Sequence, residues 1–271
     1  MLIFHEDDLL AMKRSLALGR IMGIEIKFHY SWFFVFALVV ISLALGYMPH
    51  QYPNLSHDTY WAIGLVSAAV LFSSVMFHEL SHSYEAIKKC IRIPSIVLFF
   101  FGGVAQMAEE PRKPDDEIKV AIAGPLFRFA VGGMLLSLWY FAEFLSLGIE
   151  ISAILRYGGT INLILGSFNM IPAFPLDGGR VLRGTLWRRS GDLMKATASA
   201  VRVSMVFAYA LIIGSFPVIL LARDASGFWL FLVGMFLKSA AESSMQQMLL
   251  KHRLEGVSAG EIALPAATIA P

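Results

Sequence analysis

The sequence predicts an α-helical polytopic membrane protein, with six transmembrane helices and a small membrane-associated β element. Two observations lead there. Of the 271 residues, 57% are hydrophobic and 15% charged, with a mean hydropathy of +0.66, a profile outside that of ordinary soluble domains. The apolar residues also gather into stretches near 30–48, 60–87, 117–147, 157–187, 195–222 and 227–250, about the 20 residues a helix needs to cross a bilayer, or longer. The net charge of +2 is too small to argue for nucleic acid as a partner. A single cysteine, Cys90, excludes an internal disulfide.

The elements follow in chain order. Residues 1–29 are expected to form a cytoplasmic N-terminal segment. Its start carries Glu6, Asp7, Asp8, Lys13 and Arg14 and no long apolar core, so insertion is expected to rely on the internal spans rather than on a cleaved signal. Residues 17–29 alternate partly and are punctuated by Gly19 and Gly23, which predicts a short β hairpin ahead of span one. Residues 30–250 form the membrane domain. Within it, residues 93–107 are apolar but too short to cross. They read either as a re-entrant strand pair turning at Gly102-Gly103 or as an interfacial loop. Residues 251–271, with many small residues and two prolines, are expected to be a flexible cytoplasmic tail.

Basic residues set the orientation. Lys13, Arg14, Arg20 and Lys27 precede span one, and Lys88, Lys89, Arg92, Arg112, Lys113 and Lys119 lie between spans two and three. Arg183, Arg188, Arg189 and Lys195 join spans four and five, and Lys251 and Arg253 follow span six. The other side offers Arg156 and Arg223. Because cytoplasmic loops are enriched in Lys and Arg, both termini are predicted to be cytoplasmic in a multi-pass cell-membrane protein.

Span two runs directly into His78-Glu79-Leu80-Ser81-His82. On a helix, residues four apart project from one face, and His-Glu-x-x-His is a zinc-binding pattern with the glutamate as general base. A catalytic zinc takes three protein ligands and keeps one position for water. The candidate third ligand is Asp177, in Asn169-Met-Ile-Pro-Ala-Phe-Pro-Leu-Asp-Gly-Gly-Arg180, where Pro172 and Pro175 interrupt the apolar run. A carboxylate inside a span is a functional site by default, and an anion here would offset the charge left by a dication on two neutral imidazoles. The alternative is structural: Asp177 as the acidic start of a helix, paired with Arg180 or Arg183. His29, His50 and His57 stand at no metal-ligand spacing and read as loop or interface residues. Lys238 and Glu242 read as a local i,i+4 ion pair.

Residues 78–82 in span two, Gly124-Pro125-Leu126 in span three and Asn169 through Gly179 in span four resemble the site-2 protease family of intramembrane zinc metalloproteases, over about residues 17–250. The resemblance implies one Zn2+ held by His78, His82 and Asp177, Glu79 as the base, and Asn169 as a polar group assisting substrate or oxyanion. It implies hydrolysis of peptide bonds within or near transmembrane segments of membrane proteins, with a transmembrane protein as substrate, the bilayer as surroundings and the active site toward the cytosol. The apolar stretch around 96–103 is then expected to receive an extended substrate segment by strand addition.

Two departures from the family pattern stand out. Where the third span usually carries a small or polar residue, this chain has Arg128. An unpaired arginine near the bilayer centre costs about 2.5–3.5 kcal/mol on insertion scales, so Arg128 is expected to bind a substrate carbonyl, to pair with a carboxylate such as Asp177, or to snorkel to the interface. Val257-Ser-Ala-Gly-Glu-Ile262 looks like the lead-in to the paired nucleotide-sensing CBS domains of related members, and the expectation is a six-span member without them. Other classes compete: a membrane transporter moving a metal or proton through the His/Asp cluster, or an inactive protease-like scaffold, for which Arg128 is the hint. The transporter would favour an inverted repeat with paired broken helices, and no such repeat is visible.

Overall fold

The computed structural model describes residues 15–100, 102–221 and 226–254. The first 14 residues and those from 255 on, which hold the start of the predicted N-terminal segment and most of the predicted tail, lie outside the described residues. Strands β1 (Ser15–Ile21) and β2 (Ile24–His29) lead into helix α1 (Tyr30–Gln51), which contains a π turn at Leu43–Tyr47. Helix α2 (His57–Lys88) is followed by strands β3 (Ser95–Phe99) and β4 (Gly102–Gln106). Then come α3 (Pro114–Phe144), α4 (Ile149–Asn169), α5 (Asp177–Ser190), α6 (Leu193–Leu220) and α7 (Ser226–Leu254).

Among the described residues four helices, α1, α2, α3 and α6, are long and apolar enough to cross a membrane. The expected fourth span, 157–187, is instead two helices: α4 ends at Asn169, residues 170–176 are irregular, and α5 starts at Asp177. Pro172 and Pro175 account for the interruption, since proline lacks the N–H that a helix interior needs and disfavours helical backbone in the residue before it. The ends of the helices are capped by ordinary means. Ser56 accepts a hydrogen bond from the Thr59 N–H at 3.2 Å to start α2. Asp192 accepts from the Lys195 N–H at 3.0 Å to start α6, and this bond holds the Asp192 carboxyl below its ordinary pKa.

The four strands form one sheet in the order β1-β2-β3-β4. β1 and β2 are the predicted hairpin, antiparallel and turning through Met22 and Gly23, both with positive φ. β3 and β4 are the predicted strand pair rather than a loop, but Gly102-Gly103 open β4 instead of forming the turn. Gly103 serves another purpose: a Cβ there would sit 2.3 Å from Cγ of Glu79, so the strand lies against α2 where only glycine fits. β2 and β3 pair in parallel, Glu25 with Ser95 through Phe28 with Leu98, which ties the hairpin to the second strand pair.

Burial is arranged as lipid demands. Large side chains such as Phe34, Leu38, Leu65, Phe141, Val206 and Ile213 face outward, while Ser67, Ser74, Asn162, Thr197 and Ser204 are buried. Small and polar residues between helices let backbones approach and bond across spans; Ser74 of α2 donates to the Asn162 side chain of α4, whose amide donates to the Gly158 carbonyl at 2.8 Å. One apolar cluster, with Ile24, Ile26, Leu80, Ile96, Ala105 and Val120, packs the sheet onto the motif end of α2 and onto α3. Another, with Phe174, Ala200, Val201 and Ala241, holds the irregular 170–176 segment against α6 and α7.

Candidate metal centre

Helix α2 presents His78 and His82 one turn apart, with their Nε2 atoms 3.2 Å from each other. Both are buried. Nδ1 of His82 donates to the Val120 carbonyl of α3 at 2.6 Å; a carbonyl only accepts, so this bond puts the proton on Nδ1 and leaves the Nε2 lone pair for a ligand role. Gly124 on α3 makes room for the two rings. A Cβ there would lie 2.3 Å from Nε2 of His82 and 2.6 Å from Cε1 of His78, a clash with both imidazoles.

Asp177 arrives from the other direction. As first residue of α5 it is 8% exposed, with Oδ2 3.2 Å from Nε2 of His78 and Oδ1 3.2 Å from Nε2 of His82. Several contacts hold it there. The Phe174 N–H donates to Oγ of Ser204 at 2.8 Å. A Cβ on Gly178 would meet the Met170 carbonyl oxygen at 2.3 Å, and one on Gly179 the Ala173 carbonyl carbon at 2.7 Å, so α5 starts in tight contact with the irregular segment. Below it, Arg183 of α5 donates through Nε to Oε1 of Glu117 on α3 at 2.7 Å, and Glu117 is 1% exposed. The structural alternative for Asp177 is therefore half right: it starts a helix, but Arg183 pairs with Glu117, and Asp177 pairs with the imidazoles.

The remaining predicted residues surround this cluster. Glu79 and Asn169 line a cavity of about 640 Å³ together with His78, Arg128 and Asp177. Asn169 is the last residue of α4, and its Nδ2 lies 3.3 Å from Nε2 of His78. Arg128 is 4% exposed and donates through Nε to Nδ1 of His78 at 3.2 Å. It neither reaches the interface nor forms an ion pair with Asp177, which corrects two of its three expected roles. Lys238 and Glu242 form the local pair expected, at 3.4 Å. Sequence reasoning missed Glu117, and it read Arg183 as a possible partner of Asp177 and Gly103 as a turn residue, where the structure sets them against Glu117 and Glu79. Glu117 stands in Asp115-Asp116-Glu117, an ordinary acidic first turn of a helix by sequence, and gives no sign of a partner 66 residues away.

Ligand atoms of His78, His82 and Asp177 all lie within 4.8 Å of one another. Two imidazole nitrogens and one carboxylate oxygen, with a cavity on the open side, match the donor set of catalytic zinc. The glycine cradle at Gly124 and the Val120 carbonyl behind His82 supply the supporting shell such a site requires. The site and the apolar helices around it define the class: a membrane-embedded metal-dependent hydrolase.

Comparison with known proteins gives the family. The model of peptidase family M50 matches residues 66–147 and 144–213. A relative in Synechocystis sp. is 36% identical over 96% of this chain and 67% of its own length. A zinc metalloprotease of Methanocaldococcus jannaschii is 34% identical over 94% of this chain and 67% of its own. The solved structure of a site-2 protease from Methanocaldococcus jannaschii superposes with a TM-score of 0.56 at 34% identity, covering 85% of this chain and 95% of that one. The chain spans about two thirds of the length of the curated relatives it matches, from 62% to 67% for the first of them. It belongs to peptidase family M50, the zinc metalloproteases of the site-2 protease type, and zinc is the metal its His/His/Asp cluster fits.

Proposed function

We propose that the chain hydrolyses peptide bonds within or near transmembrane segments of other membrane proteins, with His78, His82 and Asp177 as the zinc ligands and Glu79 as the proton carrier. The observation that supports this most is the joining of three buried donor side chains to a cavity that also holds a free carboxylate and an amide donor. Bound zinc supplies a Lewis acid that polarises the scissile carbonyl and makes water acidic enough to attack near neutral pH. Glu79 takes the proton released by the attacking water and delivers it to the leaving amine. Asn169, with its Nδ2 on the same side as Nε2 of His78, donates to the carbonyl oxygen as negative charge develops there.

Substrate entry has its own physics. A helical segment hides its carbonyls in internal hydrogen bonds, so it must be extended before it can be cut. β4 is bonded to β3 on one side and lines the cavity through Gly102, Gly103 and Val104. Its other edge offers backbone groups to an extended segment, which adds as a further strand beside Glu79. In this reading the chain crosses the membrane six times, the α4–α5 pair acting as one interrupted crossing, and both termini and the zinc site face the cytosol. The support is the run of Lys88, Lys89 and Arg92 just past the motif end of α2.

The test is purification in detergent, measurement of bound zinc, and cleavage of transmembrane substrates by the wild type and by Glu79→Gln. Zinc is expected to stay at about one per chain while cleavage falls at least about a hundredfold. Undiminished cleavage by Glu79→Gln would remove Glu79 from its role.

A further inference from the structure

Arg128 has no part in the reaction described above, yet it lines the same cavity as Glu79, Asn169 and Asp177. It is 4% exposed. Its Nε is bonded to His78, and its Nη1 is buried with no hydrogen-bond partner among the described residues. The carboxylates whose charge reaches it are Glu79 and Asp177, and neither is in ion-pair contact with it. Both oxygens of Asp177 face the imidazoles, and Glu79 packs against Gly103. The contrast with Arg183 is direct: that guanidinium is also buried, but Glu117 neutralises it.

A guanidinium keeps its charge in any protein environment and presents its N–H groups as a planar fork. A buried charge without a counter-ion is unfavourable. A peptide carbonyl would satisfy Nη1 but leave the charge uncompensated, whereas a carboxylate does both. We propose that Arg128 is a specificity-determining residue whose free Nη1 pairs with a carboxylate of the substrate chain, so that cutting is favoured beside an acidic side chain. The proposal rests on the proteolytic reading of the site. The same chemistry could come from the α-carboxylate that cleavage creates, and the experiment separates the two sources.

Matched transmembrane substrates carrying Asp or Asn, or Glu or Gln, at each position near the cut bond are given to the full-length protein in detergent. At one position the acid is expected to exceed the amide in kcat/KM at least about tenfold, mainly through KM. Arg128→Gln is expected to bring that ratio to about one, and Arg128→Lys, which keeps the charge without the fork, to leave it between. In a second arm, Glu79→Gln protein binds labelled uncut peptides and product fragments ending in an acid or an amide. A preference confined to the fragment acid, and lost in Arg128→Gln, assigns the pairing to the product carboxylate. Equal handling of acid and amide in both arms, or an acid preference that survives Arg128→Gln, overturns the proposal. Absence of cleavage of every substrate contradicts the protease reading instead, and the binding arm still decides Arg128.

Discussion

The centre is built from two regions that obtain their geometry in opposite ways. His78 and His82 sit on an uninterrupted helix of 32 residues, where a spacing of four fixes their relation before any tertiary contact forms. Asp177 follows a break in which regular hydrogen bonding stops between Asn169 and Asp177, and its place depends on tethers distant in sequence: Ser204 on α6, Glu117 on α3, and the backbone against Gly178 and Gly179. The helical half of the site is local and robust. The broken half is assembled, and damage remote from the metal should displace it.

Breaking that contrast starts with Glu117→Ala, which leaves Arg183 buried without its counter-ion. The loss of stability is expected to be about 3–5 kcal/mol, read as a lowered unfolding midpoint in detergent, with zinc binding weakened because Asp177 shifts. A smaller effect should come from the helical half. Gly124→Ala pushes a methyl group against both imidazoles and is expected to weaken zinc binding about 10- to 100-fold, as for lost supporting contacts, while the helix content by circular dichroism is unchanged. The smallest belongs to Ser204→Ala, which strips the Phe174 N–H of its acceptor. It should cost about 1–3 kcal/mol in the same unfolding assay. If Ser204→Ala were silent for stability while Gly124→Ala unfolded the protein, the contrast would be reversed.

The same contrast explains what could be read from the chain. The helical half was legible, because His78-Glu79-Leu80-Ser81-His82 carries spacing, chemistry and helical context in five residues. Asp177 was legible as an anion in an apolar run. The break in span four was legible from Pro172 and Pro175, but its extent, with a separate helix starting at Asp177, was not, because periodicity alone cannot say whether a proline kinks a helix or ends it. The role of Gly102-Gly103 was not legible either: glycines usually mark a turn, whereas these two open β4 and Gly103 serves a close approach to Glu79. The Glu117–Arg183 pair, the parallel register of β2 on β3, and the contact of Arg128 with His78 join residues far apart in sequence. Nothing local encodes them.

The claim that matters most is that one zinc is shared between the two regions, and metal content with X-ray absorption at the zinc edge tests it directly on the purified chain and on Asp177→Ala. The account predicts one zinc per wild-type chain with nitrogen ligands at about 2.0–2.1 Å and an oxygen ligand at about 2.0–2.2 Å, and in Asp177→Ala a loss of most bound zinc or of that oxygen. Zinc retained in Asp177→Ala at wild-type content with an unchanged ligand shell would contradict it.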